Sequence, residues 1–318
     1  MPDHEASDRV CGPRVRYRGS RLLLGLLVVL ACLTRFHDLD GYPLWHDEAW
    51  VAASIAEPTL SGMMVDFDYP QTTPPLFLIL VRGLVAVFGN GEAVLRFLPA
   101  AAGVLSAVLL WLLARRLTGS EKVAFLTMAL WVASPRALHY SQELKQYATD
   151  ALVTILLLYL TEVFVGQGEP ERRARWKCVL VGATIVCLPL SYTAVLVIPA
   201  VVIRWAWAAF AGNDRGARRR ELLEVGIYAA TTSALFAFLH LIFVRPQYVP
   251  WLFDFWKGQF LSDHSALGFV QFAAWSSYHL FSFLFRHLND LMLGYAVPIA
   301  AALFAVGIMS LMIAPPTA

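Results

Sequence analysis

The sequence predicts an all-α, polytopic membrane protein, and composition, long apolar runs and the placement of positive charge support this prediction. Of its 318 residues, 58% are hydrophobic and 15% are charged, whereas soluble globular domains carry about 45–50% apolar and about 25% charged residues. A water-soluble domain is therefore excluded as the fold of the whole chain. The net charge of +2 is too small and too scattered to form a nucleic-acid-binding surface. The predicted partner is a lipid bilayer.

The first apolar run, residues 22–34, follows an arginine-rich tail. This pattern is typical both of a cleaved signal peptide and of a first transmembrane helix. Nothing downstream resembles a soluble exported domain, which favours an uncleaved membrane anchor. Because cytoplasmic segments retain Lys and Arg, residues 1–21 are predicted to be a cytoplasmic tail.

Six further apolar runs approach the ~20 residues that a helix needs to cross a bilayer. The longest exceeds one span, and Pro189 and Ser191 within it predict a break into two helices. With the first run, this predicts about eight transmembrane helices. The six runs are residues 93–114, 123–138, 148–165, 178–210, 225–244 and 290–313.

Two other runs, residues 75–88 and 266–285, are shorter or more polar, and we interpret both as interfacial helices. Four basic clusters determine this choice, because cytoplasmic loops are rich in Lys and Arg. If residues 75–88 crossed the membrane, the later clusters would lie on the opposite side from the N-terminal tail. The three later clusters are residues 115–122, 172–177 and 215–220.

This topology predicts one transmembrane domain over residues 1–318, with a cytoplasmic N-terminus and two large outer loops. Outer loop one covers residues 36–92, and an outer aromatic loop covers residues 245–289. The predicted location is the inner membrane of the cell, with the functional site on the extracytoplasmic face. Whether a longer protein continues beyond residue 318 is left open.

Outer loop one contains an adjacent carboxylate pair, Asp47 and Glu48, beside His46 and between two tryptophans. Amphipathic aromatic rings collect at the headgroup level of a membrane. A carboxylate held there can meet a lipid headgroup without crossing the bilayer. The same pair also suits the first turn of an interfacial helix, and spacing alone does not separate these interpretations.

Asp66 and Asp68 follow in the same loop, ahead of Pro74 and Pro75. Proline is tolerated in the first turn of a helix, so the two prolines predict where the interfacial helix begins. The two aspartates could bind a divalent ion through oxygen ligands. Two carboxylates are weak support for a metal site, and solvation of the loop is the favoured interpretation, which leaves a divalent metal open as a cofactor.

A polar segment, residues 134–150, joins the third and fourth predicted spans. If it is helical, the spacing of Tyr140, Glu143, Tyr147 and Asp150 places them on one face. Ionisable groups at membrane depth usually face a bundle interior or a water-filled cavity, so cavity lining is favoured over solvation of a helix end. Lys145 would point elsewhere unless the helix begins later. The predicted lining residues are His46, Tyr140, Glu143 and Asp150.

Two further features of the outer side have two interpretations each. Arg96, at the outer end of the second span, is either a snorkelling anchor or a contact for an anionic headgroup. The loop at residues 245–289 is rich in Trp, Tyr and Phe. It forms either an aromatic belt at the interface or a roof over a cavity that stacks on a sugar or acceptor.

Several short motifs occur in order between residues 22 and 164. Each alone is weak, but the ordered series resembles the GT-C glycosyltransferases of the protein O-mannosyltransferase and aminoarabinose-transferase type. The motifs are Arg35 at the end of the first span, Leu-Trp-x-Asp-Glu-Ala at 44–49, Pro-Pro-Leu-Phe at 74–77, Leu-Arg-Phe-Leu-Pro-Ala at 95–100, Ala-Arg-Arg-Leu at 114–117 and Tyr-Ser-Gln-Glu-Leu-Lys-Gln-Tyr-Ala at 140–148.

The resemblance implies a polytopic enzyme that takes a sugar from a polyprenyl-phosphate donor and transfers it to a lipid, glycan or protein acceptor. It implies that Asp47 is the catalytic carboxylate and that Glu48 supports it. It also implies that Arg96, Lys145 and Tyr147 lie near the donor phosphate, with Arg96 ranked first because a guanidinium binds phosphate in bidentate geometry.

Three positions depart from the family pattern. Thr73 stands where relatives often have His or Lys before the prolines, Lys145 replaces the usual arginine, and Gln146 replaces the usual proline. The first departure removes a common phosphate or metal contact. It puts the arrangement of the donor site in question.

Transfer of a sugar from a polyprenyl-phosphate donor requires one carboxylate as a general base. A phosphate leaving group is already anionic, so only the acceptor hydroxyl must lose a proton, and a general base contributes about 10²- to 10⁴-fold. Asp47 as this base predicts inversion of the anomeric configuration. The alternatives are a lipid-linked-sugar transporter or flippase and a non-catalytic binding homologue. A transporter should continue its polar groups toward the cytoplasm and often carries an internal repeat, and the later spans show little of either.

Overall fold

The computed structural model describes residues 18–64, 72–212 and 214–247, together with a few positions between 250 and 275. The chain divides into two units, Met1–Tyr248 and Val249–Ala318, and the first contains every element discussed below. The predictions for the tail before residue 18, for Asp66 and Asp68, for most of the aromatic loop and for the span at 290–313 lie outside the described residues.

The described part of the first unit is helical and contains no strand. Short connections join its helices, which is typical of a bundle of neighbouring antiparallel helices. The helices are α1 (Arg18–Phe36), α2 (His46–Ala56), α3 (Leu60–Met64), α4 (Pro75–Phe88), α5 (Glu92–Thr118), α6 (Glu121–Ala133), α7 (Pro135–Ser141), α8 (Tyr147–Val165), α9 (Pro170–Leu190), α10 (Ala194–Ala211) and α11 (Arg215–Leu239), the last continued by π and 3-10 turns to Gln247.

Four of the described helical segments are long and apolar enough to cross a membrane. They are α5, α8, α10 and the continuous segment Arg215–Gln247. Each lies over a predicted span, and α1 lies over the first one. The all-α membrane architecture is confirmed, whereas the count of eight spans stays a prediction.

The break predicted within residues 178–210 is confirmed. Helix α9 ends at Leu190, and α10 begins at Ala194. Between them the hydroxyls of Ser191 and Thr193 lie 2.9 Å apart. Small polar side chains at this point hydrogen-bond each other, which allows the chain to leave one helix and enter the next.

The single span predicted at residues 123–138 is wrong, because two helices occupy this stretch. Helix α6 ends at Ala133 after 13 residues, a length of about 20 Å. Pro135 then begins α7, and the Ser134 hydroxyl caps α7 by accepting a hydrogen bond from the Ala137 amide. The residue before a proline is restricted to extended backbone, which explains why the helix cannot continue through Ser134.

Helix α5 lies at the centre of the bundle and contacts α1, α4, α6, α7 and α8. Close packing requires a glycine at one crossing. A Cβ atom on Gly103 would lie 2.6 Å from Ser141 Cβ and 3.1 Å from Nε of Arg35. The Arg35 side chain is itself fully buried and donates to the Trp131 carbonyl at 3.0 Å. Gly103 therefore sets the distance between α5, α7 and the end of α1.

We expect Gly103→Ala to lower the thermal unfolding midpoint of the detergent-solubilised protein. An added methyl group in a packed crossing typically costs about 1–3 kcal/mol. Gly25→Ala is the matched control, because a Cβ on this α1 glycine meets nothing within 4 Å. The control should be neutral or slightly stabilising, since alanine favours a helix over glycine. Equal midpoints for both variants would contradict the close-packing argument.

An apolar cluster attaches α2, α3 and α4 to the start of α5 and to residue 144. This cluster determines where the first turn of α2, with its carboxylate pair, lies relative to α5. Its buried members are Val51, Ile55, Met63, Phe77, Leu78, Val81, Leu95 and Leu144.

The opposite end of the bundle is closed by ion pairs between α8, α9, α10 and α11. Arg204 pairs with Glu162 at 2.6 Å, and Arg173 pairs with Glu221 at 3.1 Å. The same Glu221 accepts the indole N–H of Trp205. Polar groups at this end are therefore engaged with each other.

Candidate active site

The centre of the candidate site is a buried ion pair between Glu48, in the first turn of α2, and Arg96, in the first turns of α5. Arg96 Nε donates to Oε1 of Glu48 at 2.9 Å, and Nη2 donates to Oε2 at 2.7 Å. The Glu48 side chain is only 1% exposed. A bidentate pair of this kind is among the strong hydrogen-bonded contacts in proteins.

Glu48 also accepts two backbone hydrogen bonds. The Leu144 amide donates to Oε1 at 2.6 Å, and the Trp45 amide donates to Oε2 at 3.3 Å. The first bond ties the acidic motif to the segment between α7 and α8. One carboxylate therefore holds together three parts of the chain that are distant in sequence.

The remaining donors of Arg96 bind the segment before α2. Nη1 donates to the carbonyls of Leu39 at 2.7 Å and Tyr42 at 2.8 Å, and Nη2 reaches the Pro43 carbonyl at 3.4 Å. The guanidinium is thus engaged by groups of the protein itself, which hold the segment before α2 and the acidic motif against α5. The contact of Arg96 with a donor phosphate stays a prediction.

Asp47, the neighbour of Glu48, lies in a different environment. Its side chain is 37% exposed, and its Oδ2 is 3.8 Å from Nζ of Lys145. On its other side, Nδ1 of His46 is 3.6 Å from Oδ1. The His46 ring packs against Trp50 with 4.2 Å between ring centroids. Asp47 is thus an accessible carboxylate next to one buried ammonium group.

Lys145 reaches Asp47 because the helix begins later than residue 145. Residues 142–146 are not α-helical, α8 begins at Tyr147, and the Lys145 amide donates to the Glu143 carbonyl at 2.8 Å in a tight turn. On a continuous helix the side chains of Glu143 and Lys145 would point in different directions, and this turn removes that constraint. The Lys145 side chain is 9% exposed.

The continuous polar helix face predicted for residues 140–150 is wrong, since the helix is interrupted before Tyr147. Tyr140 and Tyr147 nevertheless meet, with ring centroids 5.1 Å apart in an edge-on arrangement. Asp150 instead faces the hydroxyls of Ser191 and Thr193. Asp150 therefore belongs to the junction of α9 and α10.

Burial shifts the pKa of both charged residues in this turn. It lowers the pKa of Lys145 from its usual value, and the nearby carboxylates of Asp47 and Glu143 partly oppose that shift. Burial raises the pKa of the Glu143 carboxyl, and His139 partly opposes that change. As pH rises, Lys145 therefore loses its positive charge earlier than an exposed lysine does.

A cleft of about 960 Å³ opens beside the Glu48–Arg96 pair. Of the predicted site residues, Glu48, Arg96 and Glu143 line it. The others are not among its lining residues, namely His46, Asp47, Tyr140, Lys145, Tyr147 and Asp150. Most of the residues that line the cleft were not predicted from the sequence. The lining residues are Leu33, Thr34, His37, Asp38, Leu39, Tyr42, Pro43, Trp45, Glu48, Arg96, Leu138, His139, Gln142 and Glu143.

One missed contact had a signal in the sequence. His139 lies four residues before Glu143, and its Nε2 is 2.9 Å from Oε1 of that carboxylate. Side chains at this spacing are neighbours on a helix, but α7 ends at Ser141, so the turn after α7 and not a continuous helix brings the pair together. The loop residues Tyr42 and Asp38 carry no such periodic signal, and Asp38 adopts a positive φ of 57°.

Within the residues that the structure describes, no group of three or more His, Cys, Asp or Glu side chains is placed to hold a metal ion. Asp66 and Asp68 lie outside this part of the chain. The suggestion that they bind a divalent ion stays a prediction.

The helical bundle and its candidate membrane spans define a polytopic, all-α membrane protein with a buried acidic motif. A family model described as dolichyl-phosphate-mannose-protein mannosyltransferase matches residues 72–243, which is more than half of the chain. The chain belongs to this family, and the predicted resemblance is confirmed.

Two solved structures are similar to this chain, and the first of them supports the fold. The oligosaccharyltransferase of Archaeoglobus fulgidus, tethered to an acceptor peptide containing the NVT sequon, aligns with a TM-score of 0.51 and 16% identity over 93% of this chain and 38% of that chain. ArnT of Cupriavidus metallidurans bound to undecaprenyl phosphate aligns with a TM-score of 0.49 and 20% identity, over 74% of this chain and 43% of that chain.

Two curated proteins are also similar. The dolichyl-phosphooligosaccharide-protein glycotransferase 1 of Archaeoglobus fulgidus is 29% identical over 215 residues, 63% of this chain and 34% of that protein. An uncharacterized protein of Aquifex aeolicus is 33% identical over 115 residues, 35% of this chain and 23% of that protein. The chain thus spans about a quarter to a third of these relatives.

Proposed function

We propose that this chain is a membrane glycosyltransferase, which moves a sugar from a polyprenyl-phosphate donor to an acceptor hydroxyl with Asp47 as general base. The observation that carries the proposal is the accessible Asp47 carboxylate 3.8 Å from the Lys145 ammonium, held in place by a buried ion pair one residue away. Membership of the mannosyltransferase family supports a lipid-linked donor.

In the proposed reaction, the acceptor hydroxyl transfers its proton to Asp47 as its oxygen attacks the anomeric carbon. The bond between that carbon and the phosphate oxygen breaks, and both of its electrons leave with the polyprenyl phosphate. Attack from the face opposite the leaving group inverts the anomeric configuration, as in other single-displacement reactions of sugars. No cofactor is needed to balance this step.

Lys145 is proposed to stabilise the departing phosphate. Negative charge increases on that group in the transition state, and a cation placed there in advance can supply several kcal/mol. Before the donor binds, the same ammonium lies next to the Asp47 carboxylate. Tyr147, two positions further on and half-exposed, is the second proposed contact for the donor phosphate.

The proposed orientation places the N-terminus in the cytoplasm of the inner membrane and the Asp47 site on the extracytoplasmic face, because the basic clusters favour this arrangement. The acceptor is a lipid, a glycan or a protein with a free hydroxyl. A membrane-impermeant maleimide applied to intact cells should therefore label a cysteine at Asp40 and not one at Arg219, both in a background lacking the native cysteines.

The transporter alternative has less support. A headgroup crossing the membrane needs a polar route from the outer site to the cytoplasmic side. In the described residues, several charged groups at the other end of the bundle are paired across helices, among them Arg173 with Glu221 and Lys177 with Glu224. Transfer of label from a polyprenyl-phosphate sugar by membranes containing the protein separates the two functions, since only an enzyme releases polyprenyl phosphate.

We expect Lys145→Arg to move the alkaline limb of the pH–activity profile to higher pH. Burial lowers the pKa of Lys145, so the wild-type ammonium, and with it the activity, is lost as pH rises through that lowered value. An arginine stays charged throughout. The measurement is the rate of label transfer between neutral pH and pH 10.

Lys122→Arg, at an exposed lysine in the first turn of α6, is the matched control and should leave the profile unchanged. Lys145→Met should lower the rate about 10²- to 10³-fold, the range found when one stabilising donor is removed. An unshifted alkaline limb in Lys145→Arg would show that the lysine charge is not used in transfer.

A further inference from the structure

We infer that the end of the bundle opposite the candidate active site binds the headgroup of an anionic phospholipid through four exposed arginines on α9 and α11. The arginine cluster consists of Arg175, Arg215, Arg219 and Arg220. It is a different surface from the Asp47 site, and its lipid binding does not depend on the proposed transfer reaction.

The two helices that carry the arginine cluster lie side by side, with their N-termini at the same end. Arg173 of α9 pairs with Glu221 of α11 at 3.1 Å, and Lys177 pairs with Glu224 one turn further on. Both pairs join the first three turns of α9 to the first three turns of α11, so the two helices run parallel here. The cluster therefore lies at one end of two neighbouring helices.

The arginine cluster has positive charge available for a ligand. Its side chains are exposed or at the helix start, and among the described residues none of them has an ion-pair partner. Most carboxylates at this end are already engaged. Glu162 pairs with Arg204 and Glu169 with Arg172, in addition to the two glutamates that join α9 and α11. Glu171 is an exception, and four guanidinium groups outnumber it.

Along α11, exposed apolar side chains continue from the arginines. Leu223 lies four residues after Arg219, and Ile227 lies seven residues after Arg220. Both spacings keep side chains on the same face of a helix, and both apolar side chains are exposed. Only 17% of the most apolar stretch of this helical segment is buried. The exposed face of α11 thus begins with guanidinium groups and continues as an apolar surface.

Helix α9 repeats this order of charge and apolar surface. Val179 lies four residues after Arg175, and Val186 follows seven residues later on the same face. Both valines are exposed. A phospholipid has the same order of parts, an anionic phosphate followed by apolar acyl chains. Arginines near a membrane surface attract anionic lipids, and a guanidinium binds phosphate in bidentate geometry.

An aromatic side chain places the arginine cluster at the level of the headgroups. Helix α10 ends at Ala211, and three residues separate it from the start of α11. Trp207, in the last turns of α10, is exposed. Tryptophan rings collect at the interface between membrane and water. The cluster is therefore at the depth where lipid phosphates lie.

Charge and shape favour a lipid over two other occupants. An acidic soluble protein would neutralise the arginines but would leave the apolar faces of α9 and α11 uncovered. A second copy of the chain in a two-fold dimer presents the same patch, so it would bring arginines against arginines, and like charges repel. An anionic phospholipid satisfies both the charged and the apolar part of the surface.

The test is lipid binding to the full chain purified in detergent, measured by native mass spectrometry. The probes are phosphatidylglycerol, which is anionic, and phosphatidylcholine with the same acyl chains, which has no net charge. We expect the protein to prefer phosphatidylglycerol, and each arginine should contribute about fivefold to this preference. A variant with all four arginines of the cluster changed to glutamine should bind the two lipids about equally.

Arg245→Gln is the matched control. Arg245 is an exposed arginine at the other end of the same helical segment, so its substitution should leave the lipid preference unchanged. A variant with all four cluster arginines changed to lysine should keep most of the preference, because it keeps the positive charges. These variants separate a loss of charge from a general change at the protein surface.

A second measurement needs only the wild-type protein. A lipid that binds the folded state stabilises it by mass action, so the unfolding midpoint should be higher in nanodiscs of phosphatidylglycerol than in nanodiscs of phosphatidylcholine. Added salt should reduce this difference, since it screens exposed charges. The glutamine variant should unfold at the same temperature in both kinds of nanodisc.

The inference is overturned if phosphatidylglycerol binds no more tightly than phosphatidylcholine, if the glutamine variant keeps the preference, or if Arg245→Gln loses it. Displacement of the lipid by millimolar inorganic phosphate would assign the cluster to free phosphate, contrary to a lipid site. Tighter binding of a polyglutamate peptide would assign it to an acidic protein, with the same consequence. None of these measurements uses turnover, so their outcome is independent of the proposed function.

Discussion

Replacing Asp47 by asparagine should lower sugar transfer about 10²- to 10⁴-fold, the contribution of a general base. The amide keeps the size of the side chain but cannot accept the acceptor's proton. The side chain is 37% exposed, so the substitution should leave the unfolding midpoint of the protein almost unchanged. The measurement is the initial rate of label transfer from a polyprenyl-phosphate sugar, together with the anomeric configuration of the product by NMR.

Asp40→Asn is the matched control, since this exposed aspartate lies in the same outer segment, and it should retain full activity. Asp47→Glu should recover part of the lost rate, because it restores a carboxylate at a displaced position. Full activity in Asp47→Asn, or retention of anomeric configuration, would remove Asp47 as the base of an inverting reaction.

The second large effect is expected on stability. Arg96→Met or Glu48→Ala should each lower the free energy of unfolding by about 3–5 kcal/mol, because removing one partner leaves the other charge buried and unpaired. The two side chains are 6% and 1% exposed. The measurements are the thermal unfolding midpoint of purified protein in detergent and the amount of protein recovered from membranes.

The double variant Glu48→Met/Arg96→Met should be much less destabilised than the sum of the single variants, since no uncompensated charge remains. Arg172→Met is the control. It breaks an exposed pair with Glu169 at 2.7 Å, and exposed pairs contribute about 0–1 kcal/mol. Additive losses in the double variant would show that Glu48 and Arg96 act independently, contrary to the bidentate geometry.

Local sequence features predicted much of the bundle. The apolar runs located α1, α5 and α8 because a helix in a membrane must bury its backbone groups within itself over ~20 residues. Pro189 and Ser191 marked the break between α9 and α10, and that break depends on side chains within a few residues of it. These signals can be read without knowing what lies across the bundle.

The interruption before α8 could not be predicted in this way. The freed Leu144 amide donates to Glu48, a residue 96 positions earlier, so the unwound backbone is stabilised by a contact that no helical period encodes. The partners of Arg96 within the protein were missed for the same reason. A carboxylate 48 residues away and the carbonyls of the loop before α2 bind it, and no helical period encodes these contacts.

The cleft is a third feature that could not be predicted from the sequence. Its walls combine the end of α1, the loop at 37–45 and the segment around α7. Contacts between residues distant in sequence bring these parts together, among them the bonds from Gln142 to the carbonyls of Thr34 and His37. Asp47 and Lys145 were both singled out from the sequence, because each lies in a motif that resembles the GT-C family. Their proximity is a property of the folded chain.

The three-way attachment of Glu48 has a consequence for the order of biogenesis. Glu48 leaves the ribosome 96 residues before Leu144, so during membrane insertion its carboxylate can first be matched only by Arg96 and the adjoining backbone. The bond from the Leu144 amide to Glu48 can form only after α7 and the start of α8 have left the translocon. Chains released before residue 144 should therefore retain an open, protease-sensitive outer segment, whereas slightly longer ones should protect it.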